Sequence, residues 1–166
     1  MKHLYVSPEL CTGCKECSLA CSLGKFGECN PKKAAISVVR DEFERFEYPI
    51  ICMQCEDAPC LKFCPQNAYY KESTPAGEVI KYNEDKCIKC RFCATICPYC
   101  AIAVLDNDVV KCDLCTGDPE KRGPKCAKVC STGALKYEEE TTELNDRRKT
   151  LARKVLGEKM AKASKP

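Results

Sequence analysis

The sequence predicts an α+β fold of two small cysteine-rich modules, one inserted into the other, followed by a C-terminal helical extension. Three observations predict it. Cysteine takes 18 of the 166 positions, about 11%, well above ordinary globular usage. Sixteen of those cysteines fall into four groups of four with recurring spacing. Between the groups lie short aliphatic and aromatic stretches at 36–39, 43–51 and 101–105, and one stretch at 68–82 patterned as a β-hairpin.

The first group is Cys11, Cys14, Cys17 and Cys21, spaced CxxCxxCxxxC. The second, Cys52, Cys55, Cys60 and Cys64, repeats it with the middle gap widened to four residues; the third, Cys87, Cys90, Cys93 and Cys97, restores the first spacing. In the fourth, Cys112, Cys115, Cys126 and Cys130, the middle gap holds ten residues, rich in Gly, Pro, Lys and Asp as a surface loop would be. The residues behind three groups repeat as well: Cys64-Pro65-Gln66-Asn67-Ala68, Cys97-Pro98-Tyr99-Cys100-Ala101 and Cys130-Ser131-Thr132-Gly133-Ala134. One unit recurs along the chain.

The chain opens on Met1-Lys2-His3-Leu4-Tyr5-Val6 with no apolar signal core and no twin-arginine pair, and no run approaches the ~18 apolar residues of a membrane helix. The expectation is a cytoplasmic protein with no membrane span. There thiols stay reduced, so dense cysteine holds metal rather than disulfides.

The spacing names the metal. Three thiolates on a tight loop can wrap three corners of an iron–sulfur cubane, while the fourth, carried onto the start of a short helix, points elsewhere. In the bacterial ferredoxin run CxxCxxCxxxCP that fourth cysteine ligates the other cluster of a two-cluster module. Four complete groups therefore predict four [4Fe-4S] clusters with all-cysteine ligation. Structural zinc would leave the middle cysteine of a CxxCxxC triplet unused, and a thiolate metal store would not need the apolar segments. A zinc-binding or metal-storage protein remains the alternative of another class, and metal analysis separates the two. Cys29 and Cys100 stand outside the groups and are expected to be small buried residues.

The gaps suggest which groups exchange ligands. Between Cys64 and Cys87 lie 22 residues that read as strand 68–71, a turn at Pro75-Ala76-Gly77 and strand 79–82, the middle of a two-cluster ferredoxin-like module. The 14 residues between Cys97 and Cys112 hold mostly a single strand at 101–105 and an Asp-Asn-Asp turn, too cramped for the same purpose. Groups two and three pair, leaving one with four. By the ferredoxin rule the ligand sets are Cys11, Cys14, Cys17 and Cys130; Cys21, Cys112, Cys115 and Cys126; Cys52, Cys55, Cys60 and Cys97; and Cys64, Cys87, Cys90 and Cys93. The outer module is then 1–46 with 104–137, the inserted one 47–103. Metal bonds would hold short loops that cannot fold alone.

On Cys11-Thr12-Gly13-Cys14-Lys15-Glu16-Cys17, Pro59-Cys60, Cys97-Pro98-Tyr99 and the long gap of group four, residues 2–137 resemble the four-cluster electron-transfer subunits of the dimethyl-sulfoxide-reductase type. The resemblance implies the same pairing of groups. It also implies a large molybdenum or tungsten catalytic partner, most like that of tungsten aldehyde oxidoreductase, whose small subunit is similar in being short and lacking an export signal or membrane tail. A formate dehydrogenase, hydrogenase or carbon monoxide dehydrogenase is the alternative partner. Cys100 stands where the family commonly has glycine, and Ser131 where proline is common; neither is a proposed ligand.

All-cysteine ligation leaves no coordination site open to substrate, and no glycine-rich nucleotide motif or catalytic constellation is present around the lone His3. No catalytic residue is expected. The predicted role is a relay between a catalytic subunit and a flavin subunit or ferredoxin, with self-stacking into a longer wire as a further idea. Four clusters of charge 2− would bring the formal net charge of +3 to about −5, which discounts nucleic acid as a partner. The segment 138–166 starts acidic, then carries eight basic residues against Glu158 over 147–166, with Leu144, Leu151, Val155 and Met160 at near-helical spacing. It is expected to form a helical docking tail, or a solvated helix on its own module.

Overall fold

The computed structural model describes residues 2–41, 43, 46–75, 77–105, 108–118 and 123–139. Strand β1 (Lys2–Val6) leads through a 3-10 turn at Pro8–Leu10 into helix α1 (Glu16–Phe26), which stops at Gly27 in the left-handed conformation. A second 3-10 turn at Pro31–Lys33, capped by the Asn30 side chain on the Lys32 N–H, precedes β2 (Ser37–Asp41) and β3 (Phe46–Ile50). Then come α2 (Pro59–Lys62), β4 (Tyr69–Thr74), β5 (Gly77–Tyr82), α3 (Phe92–Ile96), β6 (Ala103–Leu105), β7 (Asp108–Val110), α4 (Lys125–Val129) and β8 (Leu135–Glu139).

Among the described residues the strands pair as antiparallel two-stranded ribbons: β1 with β8, β2 with β3, β4 with β5 and β6 with β7. The first joins the two ends of the described chain, Lys2 facing Glu139 and Val6 facing Leu135. In the same region α1 packs on α4, while α2 packs on α3 and against β4. Such ribbons are marginal alone, and each is held by what lies on its inner face.

Two apolar cores do this, and both are built largely around sulfur. The first gathers Leu4, Ile36, Ile51, Val79, Val110, Leu114 and Leu135 with Cys17, Cys21 and Cys126. The second gathers Ala58, Tyr69, Ile80, Ile102 and Val109, with Cys55, Cys60, Cys64, Cys87, Cys93 and Cys97 packed on them. Adjacent residues of two strands go to different cores: Val79 to the first and Ile80 to the second on β5, Val110 to the first and Val109 to the second on β7. That is the period-two alternation of a strand with both faces covered. β5 and β7 therefore form a wall shared by the two cores.

The structure differs from the sequence expectations in three places here. The stretch after Cys97 is a hairpin, not a single strand: Ala101 and Ile102 are buried ahead of it, and Ala103–Leu105 pairs with Asp108–Val110. The antiparallel pairing brings Val109 and Val110 back onto the wall. Second, Cys29 and Cys100 are exposed rather than buried. Cys100 occupies a left-handed turn position (φ 51°) just behind Cys97-Pro98, which turns it outward. Third, Glu138 and Glu139 are not the start of a helix; they complete β8 opposite His3 and Lys2. The remainder of the expected tail, 140–166, lies outside the described residues. No helix among the described residues is long and apolar enough to cross a membrane.

Candidate metal centres

Each cysteine group is shaped by one repeated backbone device. The residue just before the second cysteine of each group is left-handed: Gly13 (φ 68°), Gln54 (φ 46°), Lys89 (φ 57°) and Leu114 (φ 55°). This conformation costs a non-glycine residue ~1 kcal/mol or more and clusters at functional sites. It curls the loop so that successive thiols face one centre. A second left-handed residue, Lys15 or Arg91, launches α1 and α3.

The helices carry the cysteines differently from the sequence expectation. The third cysteine, not the fourth, sits at the start of each helix: Cys17, Cys60, Cys93 and Cys126 occupy its second position. Cys97 and Cys130 are C-cap residues in extended conformation, Cys64 follows α2, and Cys21 lies within the longer α1. A one-turn helix thus spaces the third and fourth thiols along its axis rather than around it.

Three small cavities have sulfur walls. Cys64, Cys87, Cys90 and Cys93 line one, closed by Ala68, Tyr69 and Phe92. Cys52, Cys55, Cys60 and Cys97 line another, beside Ala58, Ile80 and Lys111. The third is lined by Cys21, Cys112, Cys115 and Cys126, with Cys52 at its edge, beneath Leu4, Ile36 and Ile51. Of the remaining four, Cys11 and Cys14 lie close enough to Cys17 to oppose its ionisation, and Cys130 ends the helix that packs on α1.

Backbone N–H groups converge on the sulfurs. Each fourth cysteine accepts one: Cys21 from Ala35 at 3.4 Å, Cys64 from Ala68 at 3.4 Å, Cys97 from Ala101 at 3.5 Å and Cys130 from Leu135 at 3.3 Å. The first cysteines of the later groups accept from the left-handed residue two positions on, Lys89 to Cys87 at 3.3 Å and Leu114 to Cys112 at 3.4 Å. The repeated alanine behind groups two and three is thus a buried donor to sulfur. In group four the donor moves one residue, because the Ala134 N–H reaches the Thr132 hydroxyl at 3.4 Å instead.

Burial pushes the thiols up, most plainly Cys17 and Cys60 to about 11 and Cys112 to about 12, with neighbouring cysteines adding to it. Cys126 is raised by burial and by Cys112, Cys21, Cys115 and Cys17 together. Such groups ionise when a cation binds. The donor set fits a sulfur-ligated cluster: four thiols around an apolar hollow, with N–H groups directed at the sulfurs to stabilise negative charge there. Among the described residues no three Cys, His, Asp or Glu converge tightly enough for a single metal ion.

Side chains that the cysteine spacing does not reveal lie between the cavities. Tyr69 is buried among Cys93 and Cys60, one from each of two cavities, and burial and those sulfurs hold its phenol protonated. The phenol of Tyr82, whose ring stands 5.4 Å from that of Tyr69, is raised by burial and by Cys87. Buried Lys111 donates to Cys52 Sγ at 3.3 Å and to the carbonyls of Ile80 and Cys112 at 2.9 and 3.0 Å. Buried Gln54 accepts from the Ile80 N–H at 3.0 Å and donates to the Cys112 carbonyl at 2.8 Å. The only sequence signal for Lys111 is a charge at the end of the apolar run Val109-Val110.

A family model described as a 4Fe-4S dicluster domain matches residues 43–140. The chain is 33% identical over 169 aligned positions to the aliphatic sulfonate oxidoreductase polyferredoxin-like subunit of Pyrococcus furiosus, covering 93% of each chain. It is 34% identical to the NADH-dependent phenylglyoxylate dehydrogenase subunit beta of Aromatoleum evansii over 78% of this chain and 28% of that one. The solved active-site complex BamBC of benzoyl coenzyme A reductase contains a chain of the same fold, with TM-score 0.50 at 22% identity over 97% of both. With its repeated sulfur-walled cavities and this match, the chain belongs to the 4Fe-4S dicluster family of iron–sulfur proteins.

Proposed function

We propose that the protein is a four-cluster electron relay serving a catalytic partner. Cys64, Cys87, Cys90 and Cys93 would hold one cluster; Cys52, Cys55, Cys60 and Cys97 a second; Cys21, Cys112, Cys115 and Cys126 a third; and Cys11, Cys14, Cys17 and Cys130 a fourth. The observation that carries this is the lining of the three cavities, in each of which three cysteines of one group meet the fourth cysteine of another. The joining of β1 to β8 supports an outer module made from both ends of the chain, with 47–103 inserted.

A bound [4Fe-4S] cluster supplies outer-sphere one-electron transfer, and full cysteine ligation leaves no site for substrate. Neighbouring sulfur sites adjoin one another in succession. Tyr69 stands between the first two, Lys111 and the Cys52–Cys112 approach between the second and third, and Cys126 with Cys17 between the third and fourth. Sites that adjoin in succession suit passage from a donor to an acceptor rather than storage.

The partner is proposed as a large oxidoreductase subunit, in keeping with the names of the relatives from Pyrococcus and Aromatoleum. Tungsten or molybdenum as its metal, aldehyde as its substrate and a flavin subunit or ferredoxin at the other end rest on the sequence resemblance. Anaerobic purification with metal and sulfide analysis tests the relay: about sixteen iron and sixteen sulfide per chain, reducible by dithionite, are expected. A few zinc and no sulfide would return the chain to the zinc-binding or metal-storage class. Tungsten or molybdenum in a copurified large subunit tests the partner.

A further inference from the structure

Lys111 is an unusual resident for a sulfur-lined interior. Its side chain ends in the wall shared by the two cores, 5% exposed, with three acceptors for the three N–H bonds of an ammonium: Cys52 Sγ, the Ile80 carbonyl and the Cys112 carbonyl. None of these acceptors is a carboxylate. A buried cation is costly unless an opposite charge lies close, and the sulfur it touches is that of Cys52, with Cys60 of the same cavity and Cys112 of the neighbouring one also near enough to feel it. Gln54 fixes the same strand and the same Cys112 carbonyl from the other side, so the ammonium is held in place.

We propose that Lys111 is a positioning residue that raises the reduction potential of the cluster held by Cys52, Cys55, Cys60 and Cys97, making it the site where an arriving electron rests. This deepens the relay proposed above and rests on it. Adding one electron to the cluster adds one negative charge with no bond made or broken, and a fixed positive charge at a ligand sulfur favours that charge. The N–H to sulfur bond acts in the same direction. The ammonium also acts on the Cys112 thiol, but the sulfur it is hydrogen-bonded to is that of Cys52, so the neighbouring cluster feels it less.

The test uses the intact holoprotein, titrated with dithionite at fixed pH and followed by low-temperature electron paramagnetic resonance, with iron counted in each sample. Wild type, Lys111→Met and Lys111→Arg are compared. One component of the Lys111→Met titration should shift to lower potential, its reduced-to-oxidised ratio at the wild-type midpoint falling at least about tenfold, while the others stay and Lys111→Arg restores it. Four unchanged components in fully loaded Lys111→Met, or a uniform drift of all four, overturn the proposal. Iron lost from the Met variant but kept by Arg supports it, since charge then decides; iron lost from both makes Lys111 a packing residue and overturns it. A wild type without reducible clusters would instead sink the relay itself.

Discussion

Lys25 Nζ lies 2.9 Å from Asp113 Oδ2, tying α1, which carries two cysteines of the first group, to the loop that carries two of the fourth. Burial resists ionisation of both, yet each holds the other charged: the Lys25 ammonium is raised and the Asp113 carboxyl lowered. Asp113→Asn should leave a partly buried ammonium unpaired and cost about 2 kcal/mol, read as a lower thermal midpoint of the holoprotein. The sign with pH follows from the lowered carboxyl. Its stabilisation is present above its ordinary value of 3.8 and fades as pH falls through the lower folded value, so the variant and wild type should converge in acid.

The crossing of ligands between groups two and three is testable with pairs of variants. Cys60→Ser, Cys97→Ser and the double variant should all alter the same single resonance component. Cys93→Ser combined with Cys97→Ser should alter two. Additive loss in the first pair would show that Cys97 serves its own group.

Ala68 has no exposed surface and its N–H points at Cys64 Sγ. Ala68→Leu should overpack this corner by about 1–3 kcal/mol. The expected sign is a lowered thermal midpoint together with faster iron loss, against little change from Ala to Leu at an exposed site.

Proton release sets a fourth expectation. In the metal-free fold Cys17 and Cys60 sit near 11 and Cys112 near 12, and even the unperturbed thiol sits at 9.0, so at neutral pH these groups bind cluster only by giving up protons. The loaded state holds fewer protons, so affinity rises with pH up to at least about 9 in an unfolded apo chain, and towards 11 if the apo chain stays folded. Iron transfer to a competing chelator should therefore speed up as pH falls from 8.5 to 6.5 in buffer of fixed ionic strength. Circular dichroism recorded alongside should show the ordered signal disappearing with the iron.

The cysteine groups and the hairpin at 69–82 were legible in the sequence because each is local: spacing along the chain, or alternation bounded by a turn. The β1–β8 ribbon was not, since nothing in Lys2–Val6 names a partner over a hundred residues away. β6–β7 escapes because two three-residue strands, the second starting at Asp108 within the Asp-Asn-Asp run, carry too little alternation to separate from a turn. Residue type alone favours the interior for Cys29 and Cys100, whereas both are exposed and Cys100 sits at a left-handed turn position. Lys111 and Gln54 were invisible for a different reason. Their roles exist only where two loops from distant cysteine groups meet, and a lysine beside an apolar run looks like any surface charge until the wall behind it is in place.

The pairing of Lys2 with Glu139 has a bearing on biosynthesis. During translation every cysteine lining the cavities of Cys52 and Cys87 has left the ribosome once residue 97 is outside, whereas the cavity shared by Cys21 and Cys126 must wait until α4 emerges. A nascent chain would therefore present finished and unfinished nests to the cell's cluster-delivery machinery at the same moment, with Cys11, Cys14, Cys17 and Cys21 idle for the whole interval. Those four sulfurs wait longest for their partners, until β8 comes to lie beside β1.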